Sequence, residues 1–116
     1  LPVIEQICSL SKARIVVLID EPLMNFAALT ARAEAFVGND SGPMRLAAAA
    51  GAKVVGLFGP GTPEMFSPVG SHAAYIHHKL HCNPCDQVHC VYPENPCMNR
   101  ITVEEVLGTI AASTRR

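Results

Sequence analysis

Two groups of residues in this chain have the types and spacing to do chemistry. The first is Asp40-Ser41-Gly42-Pro43 with Arg45, at the junction of the apolar run Phe36-Val37-Gly38 and the alanine-rich run Leu46 to Ala50. A strand that turns tightly into a helix presents free backbone N–H groups and the positive end of the helix dipole, which together attract a diphosphate. Gly42 eases the turn, Pro43 suits the first helical turn, and the Ser41 hydroxyl offers a further donor. The competing reading is an N-cap and nothing more, because Asp, Ser and Gly are also favoured capping residues. Asp40 carries the same ambiguity, facing a sugar hydroxyl or bonding the local backbone.

The second group is Cys82, Cys85, Cys90 and Cys97, with Cys8 far away in sequence. Four thiolates can hold zinc tetrahedrally and Cys-x2-Cys is a common half-site, but the second half has six intervening residues. Reduced unliganded thiols, disulfides and an iron-sulfur cluster stay open beside structural zinc. His81 and His89 are candidate substitute ligands, although loop histidines are more often solvated.

The elements that position these residues alternate between helix and strand. Residues 2 to 10 read as the end of a helix, residues 14 to 19 as a buried strand, and Asp20-Glu21-Pro22 as the loop beyond it. Leu23, Phe26, Ala27 and Thr30 fall on one face of a helix reaching about Ala33. The strand 35 to 38 follows, then the alanine-rich helix ended by Gly51, then the strand 53 to 58. Gly59-Pro60-Gly61-Thr62-Pro63 is a rigid loop, and Tyr75-Ile76 forms one more short strand. Continuous apolar strands predict a parallel sheet with helices on both faces. Ligands then collect outside the carboxyl ends of the strands, so residues 20 to 22, 39 to 43 and 59 to 63 should converge on one crevice.

Residues 79 to 100 form an irregular cysteine-rich loop. The last helix opens on a capping box, Thr102-Val103-Glu104-Glu105, with Ile101 and Val106 as its staple. Val103, Val106, Leu107 and Ile110 form an apolar stripe expected to pack on the sheet.

Composition narrows the functions. The 116 residues support a single domain over 1–116, and 49% apolar residues suit a buried sheet. A net charge of −1, with no basic cluster or stacking aromatics, argues against nucleic-acid binding. No apolar run approaches the roughly 20 residues that span a bilayer, and no signal-peptide pattern opens the chain. The chain starts at Leu1 rather than a methionine, so it is taken as a piece of a longer protein.

Three motifs in order, Gly38-Asn39-Asp40-Ser41-Gly42-Pro43-Met44-Arg45-Leu46-Ala47-Ala48-Ala49, Val54 to Pro60, and Cys82-Asn83-Pro84-Cys85 with Cys97 to Val106, resemble glycosyltransferase family 9. These are the ADP-heptose:lipopolysaccharide heptosyltransferases, and the similarity spans about residues 15 to 110. The resemblance implies the C-terminal, nucleotide-sugar-binding half of a GT-B enzyme built from two Rossmann-like domains. It implies inverting transfer of a heptose to the lipopolysaccharide core, with no metal required, in the cytoplasm or at the inner membrane surface. By the same resemblance Asp40, Ser41, Gly42 and Pro43 contact the donor's sugar and diphosphate, and Glu21 borders the adenine. The catalytic base would lie in the N-terminal domain, which also meets the acceptor, leaving a donor-binding half inactive alone.

The chain departs from the family pattern at Arg45, where histidine is usual, and at Gly61-Thr62, where Thr-Asp is common. Arginine can still neutralise a diphosphate or can point to solvent. The rival function is a non-catalytic nucleotide- or zinc-binding module of Rossmann-like form, and a weaker one is a cysteine-rich docking surface.

Overall fold

The computed structural model describes residues 2–39, 41–60, 73–82 and 90–112. In chain order these form α1 (Pro2–Leu10), α2 (Leu23–Arg32), β1 (Phe36–Asn39), α3 (Gly42–Ala49), β2 (Val54–Phe58), β3 (Ala73–His77), a 3-10 turn (Cys97–Arg100) and α4 (Val103–Ala112). The three strands make a parallel sheet in the order β1-β2-β3. The expected α/β class with a parallel sheet flanked by helices is what the chain adopts.

The core explains why β2 is central. Its Val54, Val55 and Phe58 are fully buried, and α3 lays Met44, Ala47 and Ala48 against this strand and the neighbouring Ala52. Small alanines let the helix approach the sheet, while each large buried side chain contributes about 1.5–3 kcal/mol. Phe36 and Ala73 extend the core from the two flanking strands. Edge-to-face stacking of Phe26 on Phe36, with centroids 5.8 Å apart, ties α2 to β1. On α2, Phe26 and Ala27 are half-buried and Thr30 is buried, whereas Leu23 at the helix start is exposed.

Helix α3 stops as the glycine predicts. Gly51 adopts φ 94°, the left-handed region, and two closing bonds follow: Gly51 N–H to Ala48 O at 3.0 Å and Ala52 N–H to Ala47 O at 3.1 Å. This is a Schellman turn, which satisfies carbonyls the helix end would otherwise leave bare. It returns the chain directly into β2.

Residues 14–19 do not form the expected strand. No ladder joins them to the sheet, and Ile15, Val16, Val17, Leu18 and Ile19 are each 41–63% exposed. Apolar character alone does not make a strand, because extended backbone needs a hydrogen-bonded neighbour. Helix α1 forms where expected but buries none of its residues. Strand β3 is longer than Tyr75-Ile76, because pairing with β2 runs from Ala73 through His77.

The capping box is present. Thr102 N–H donates to Glu105 Oε1 at 2.9 Å, and Glu105 N–H donates to Thr102 Oγ1 at 3.1 Å. His78 Nε2 lies 2.8 Å from both Glu105 carboxylate oxygens, clamping the end of β3 to the start of α4. Lys53 Nζ donates to Ile110 O at 3.0 Å near the other end of α4. The apolar stripe is only half used: Val106 and Ile110 are half-buried, but Val103 and Leu107 are 69% and 60% exposed. Helix α4 contacts β2 and β3, and that contact covers one side of its stripe.

Two measurements test this frame. In amide hydrogen exchange, β2 should be the most protected segment, while residues 15–19 should exchange at near-unfolded rates; slow exchange there would contradict their exposure. The Thr102 N–H and then the His78 ring hold the Glu105 carboxyl below its ordinary value of 4.5. A carboxyl whose pKa falls on folding stabilises fully above its unfolded pKa, and this is lost as pH drops through the folded value. Stability of Glu105→Gln should therefore fall less steeply with acid than that of the wild type below pH 4.5, and parallel curves would contradict the clamp.

Candidate functional site

The parallel pairing places the carboxyl ends of β1 and β2 on one side of the sheet, with Asn39 beside Leu57. Helix α3 begins at that side, so its free N–H groups lie at the sheet's carboxyl edge. Ser41 is its N-cap residue, with extended backbone, but makes no side-chain capping bond. Its hydroxyl donates instead to Asn39 O at 3.1 Å, so the hydroxyl proton is committed to the turn rather than offered to a ligand. Gly42 has an ordinary φ, and a side chain there would meet open space. The turn does not require glycine, and the bare Cα leaves the start of α3 open to approach. Pro43 sits in the first helical turn as expected. Asp40 lies outside the described residues.

Arg45 does not point to solvent. Its Nη1 donates to Ser41 O at 2.8 Å, curling the half-buried side chain back over the first turn of α3. That places a permanent cation at the start of the helix, where the backbone contributes partial positive charge. Guanidinium and backbone N–H groups together match phosphate oxygens in charge and hydrogen-bond geometry.

Glu21 is exposed, between Asp20 at φ 58° and Pro22, which caps α2. Its convergence with the other two loops depended on residues 14–19 lying in the sheet. They do not, so the sheet does not carry Glu21 to the start of α3. Of the third loop, Gly59 and Pro60 are described and residues 61 to 63 are not.

Gly59 is a junction that the sequence reading missed. His77, the last residue of β3, pairs in register with Phe58, and its Nε2 lies 3.0 Å from Gly59 O. Gly59 is also packed so closely by Met98 and Cys97 that a β-carbon would lie 2.6 Å from Met98 Cγ and 3.0 Å from Cys97 Sγ. Glycine here is demanded by packing. A histidine ending an apolar strand was the available signal for this contact.

Cys97 is half-buried beside Gly59, Cys82 is half-buried, and Cys90 is exposed. Among the described residues no three His, Cys, Asp or Glu side chains come together as a metal site. Cys85 and His89 lie outside the described residues. His81 is edge-on to Tyr92, with its Nδ1 3.2 Å from the Tyr92 hydroxyl, and Arg100 stacks over the same ring at 5.2 Å. Aromatic and cationic contacts therefore tie His81 and Arg100 to Tyr92. No described helix is long and apolar enough to cross a membrane.

Residues 4–95 match the model of glycosyltransferase family 9 (heptosyltransferase). Two lipooligosaccharide heptosyltransferase 2 proteins of Campylobacter jejuni are similar. That of serotype O:2 is 38% identical over 73 residues, covering 62% of this chain and 23% of the relative. That of serotype O:6 is 36% identical over 76 residues, covering 65% and 24%. The match thus spans about a quarter of the length of these relatives. No solved structure gives a significant match. By the extent of the family match, this chain belongs to glycosyltransferase family 9, the heptosyltransferases.

Proposed function

We propose that this chain is the donor-binding half of an inverting glycosyltransferase of GT-B architecture that acts in lipopolysaccharide core assembly. Its ligand is a nucleoside diphosphate sugar of the ADP-heptose kind. The observation that carries the reading is the Arg45 guanidinium held on Ser41 O at the open start of α3. Family membership supports the reaction class, and the relatives' names support a role in lipooligosaccharide synthesis.

The chemistry suits that geometry. When an acceptor hydroxyl attacks the anomeric carbon, the bond to the diphosphate breaks and negative charge grows on the departing phosphate. N–H groups and a guanidinium fixed in advance at that point stabilise the charge without reorganising. The base that takes the acceptor's proton belongs to the other half of the enzyme, as does acceptor binding. This half binds and orients, on the cytoplasmic side of the inner membrane, and no metal is needed for the transfer.

Affinity for ADP, UDP and GDP tests this directly. ADP should bind most tightly, and Arg45→Ala should weaken it about tenfold, the effect of losing one charge-assisted hydrogen bond of about 1.5 kcal/mol. Unchanged affinity would remove Arg45 from the site, and preference for UDP or GDP would move the donor to another nucleotide. A structural zinc on Cys82, Cys85, Cys90 and Cys97 stays a proposal from their spacing. It predicts about one zinc per chain in protein purified without chelator, and substoichiometric zinc would end it.

A further inference from the structure

We propose that His77 is a positioning residue for the diphosphate site, because it turns the Gly59 carbonyl away from the place where phosphate charge collects. This inference rests on the donor-binding reading above. A carbonyl oxygen only accepts, so the 3.0 Å contact requires the proton on His77 Nε2. The ring is half-buried and set against Phe58, with centroids 6.4 Å apart at 67°, which limits its freedom to swing.

Direction is the significant feature. The sheet order places β3 on one side of β2, and β1 with the start of α3 on the other. Phe58 and His77 are register partners, so the hydrogen bond leaves the last residue of β3 and reaches the first residue beyond β2. It draws the negative end of the Gly59–Pro60 peptide dipole toward β3, away from Ser41, Gly42 and Arg45. A carbonyl turned the other way would oppose a diphosphate at the start of α3; held by His77, it does not. Met98 and Cys97 press on Gly59 from another segment, so the peptide is clamped at both its Cα and its oxygen.

The test uses the chain as it is, with ADP as probe and thermal unfolding measured alongside. His77→Leu removes the donor, whereas His77→Gln supplies an amide N–H of similar reach. We expect His77→Leu to bind ADP about five- to tenfold more weakly and His77→Gln to stay within about twofold of wild type, since one well-placed dipole has effects of this order. If His77→Leu does not fold, His77→Asn, polar but too short to reach Gly59, takes its place with the same expected loss. A folded variant that lacks the donor but binds ADP as tightly as wild type would overturn the inference, even if its melting temperature falls. Equal loss in His77→Gln would overturn it too, by showing that the ring and not its N–H matters. If wild type binds none of ADP, UDP and GDP, the donor-binding reading itself fails and takes the inference with it.

Discussion

The packing of α3 on β2 is the constraint on which the rest depends. Met44, Ala47 and Ala48 close over Val54 and Phe58, and the Schellman turn at Gly51 joins the two elements through only a few residues. A helix so tightly bound to a parallel strand has one end fixed at the carboxyl edge of the sheet. That end is the amino terminus, with its unpaired N–H groups and positive dipole. The position proposed for the anion is therefore a consequence of the core: any change that loosened the alanine face would move the N–H groups as well.

Around that fixed point the electrostatics are consistently arranged. Arg45, the fourth residue of the helix, folds back to its start and adds a full charge where the backbone supplies partial ones. Gly42 leaves the approach open, and the Ser41 hydroxyl is spent on Asn39 O, which stiffens the turn. The Arg45 guanidinium keeps its charge at every physiological pH, so the anion attraction proposed for this site does not depend on protonation. The 3-10 turn at Cys97–Arg100 meets the same edge through Gly59, linking the cysteine-rich segment to the sheet by packing.

What could be read from the sequence was local. The strand Phe36–Asn39, the helix Gly42–Ala49, the glycine stop and the Thr102–Glu105 capping box are each set by neighbours within a few positions, and each is present. What could not be read was pairing at a distance. Residues 14–19 have the composition of a buried strand, yet composition does not say whether a partner edge accepts them. Val103 and Leu107 belong to a proper helical stripe, but how far a stripe is covered depends on the angle at which α4 meets β2 and β3. The contact of His77 with Gly59 spans eighteen positions and leaves no periodic signature. The orientation of Arg45 was open because a long side chain's direction follows from its acceptor, here Ser41 O.

The central claim is that a nucleoside diphosphate sits at the start of α3. An amide-resolved NMR titration of this chain with ADP tests it most directly. The account predicts selective shifts at Ser41, Gly42, Met44, Arg45 and Leu46, with a smaller response at Gly59 and little change in α1 or α4. Shifts confined to α1, to α4 or to the cysteine-rich segment, or no shifts at all, would contradict it.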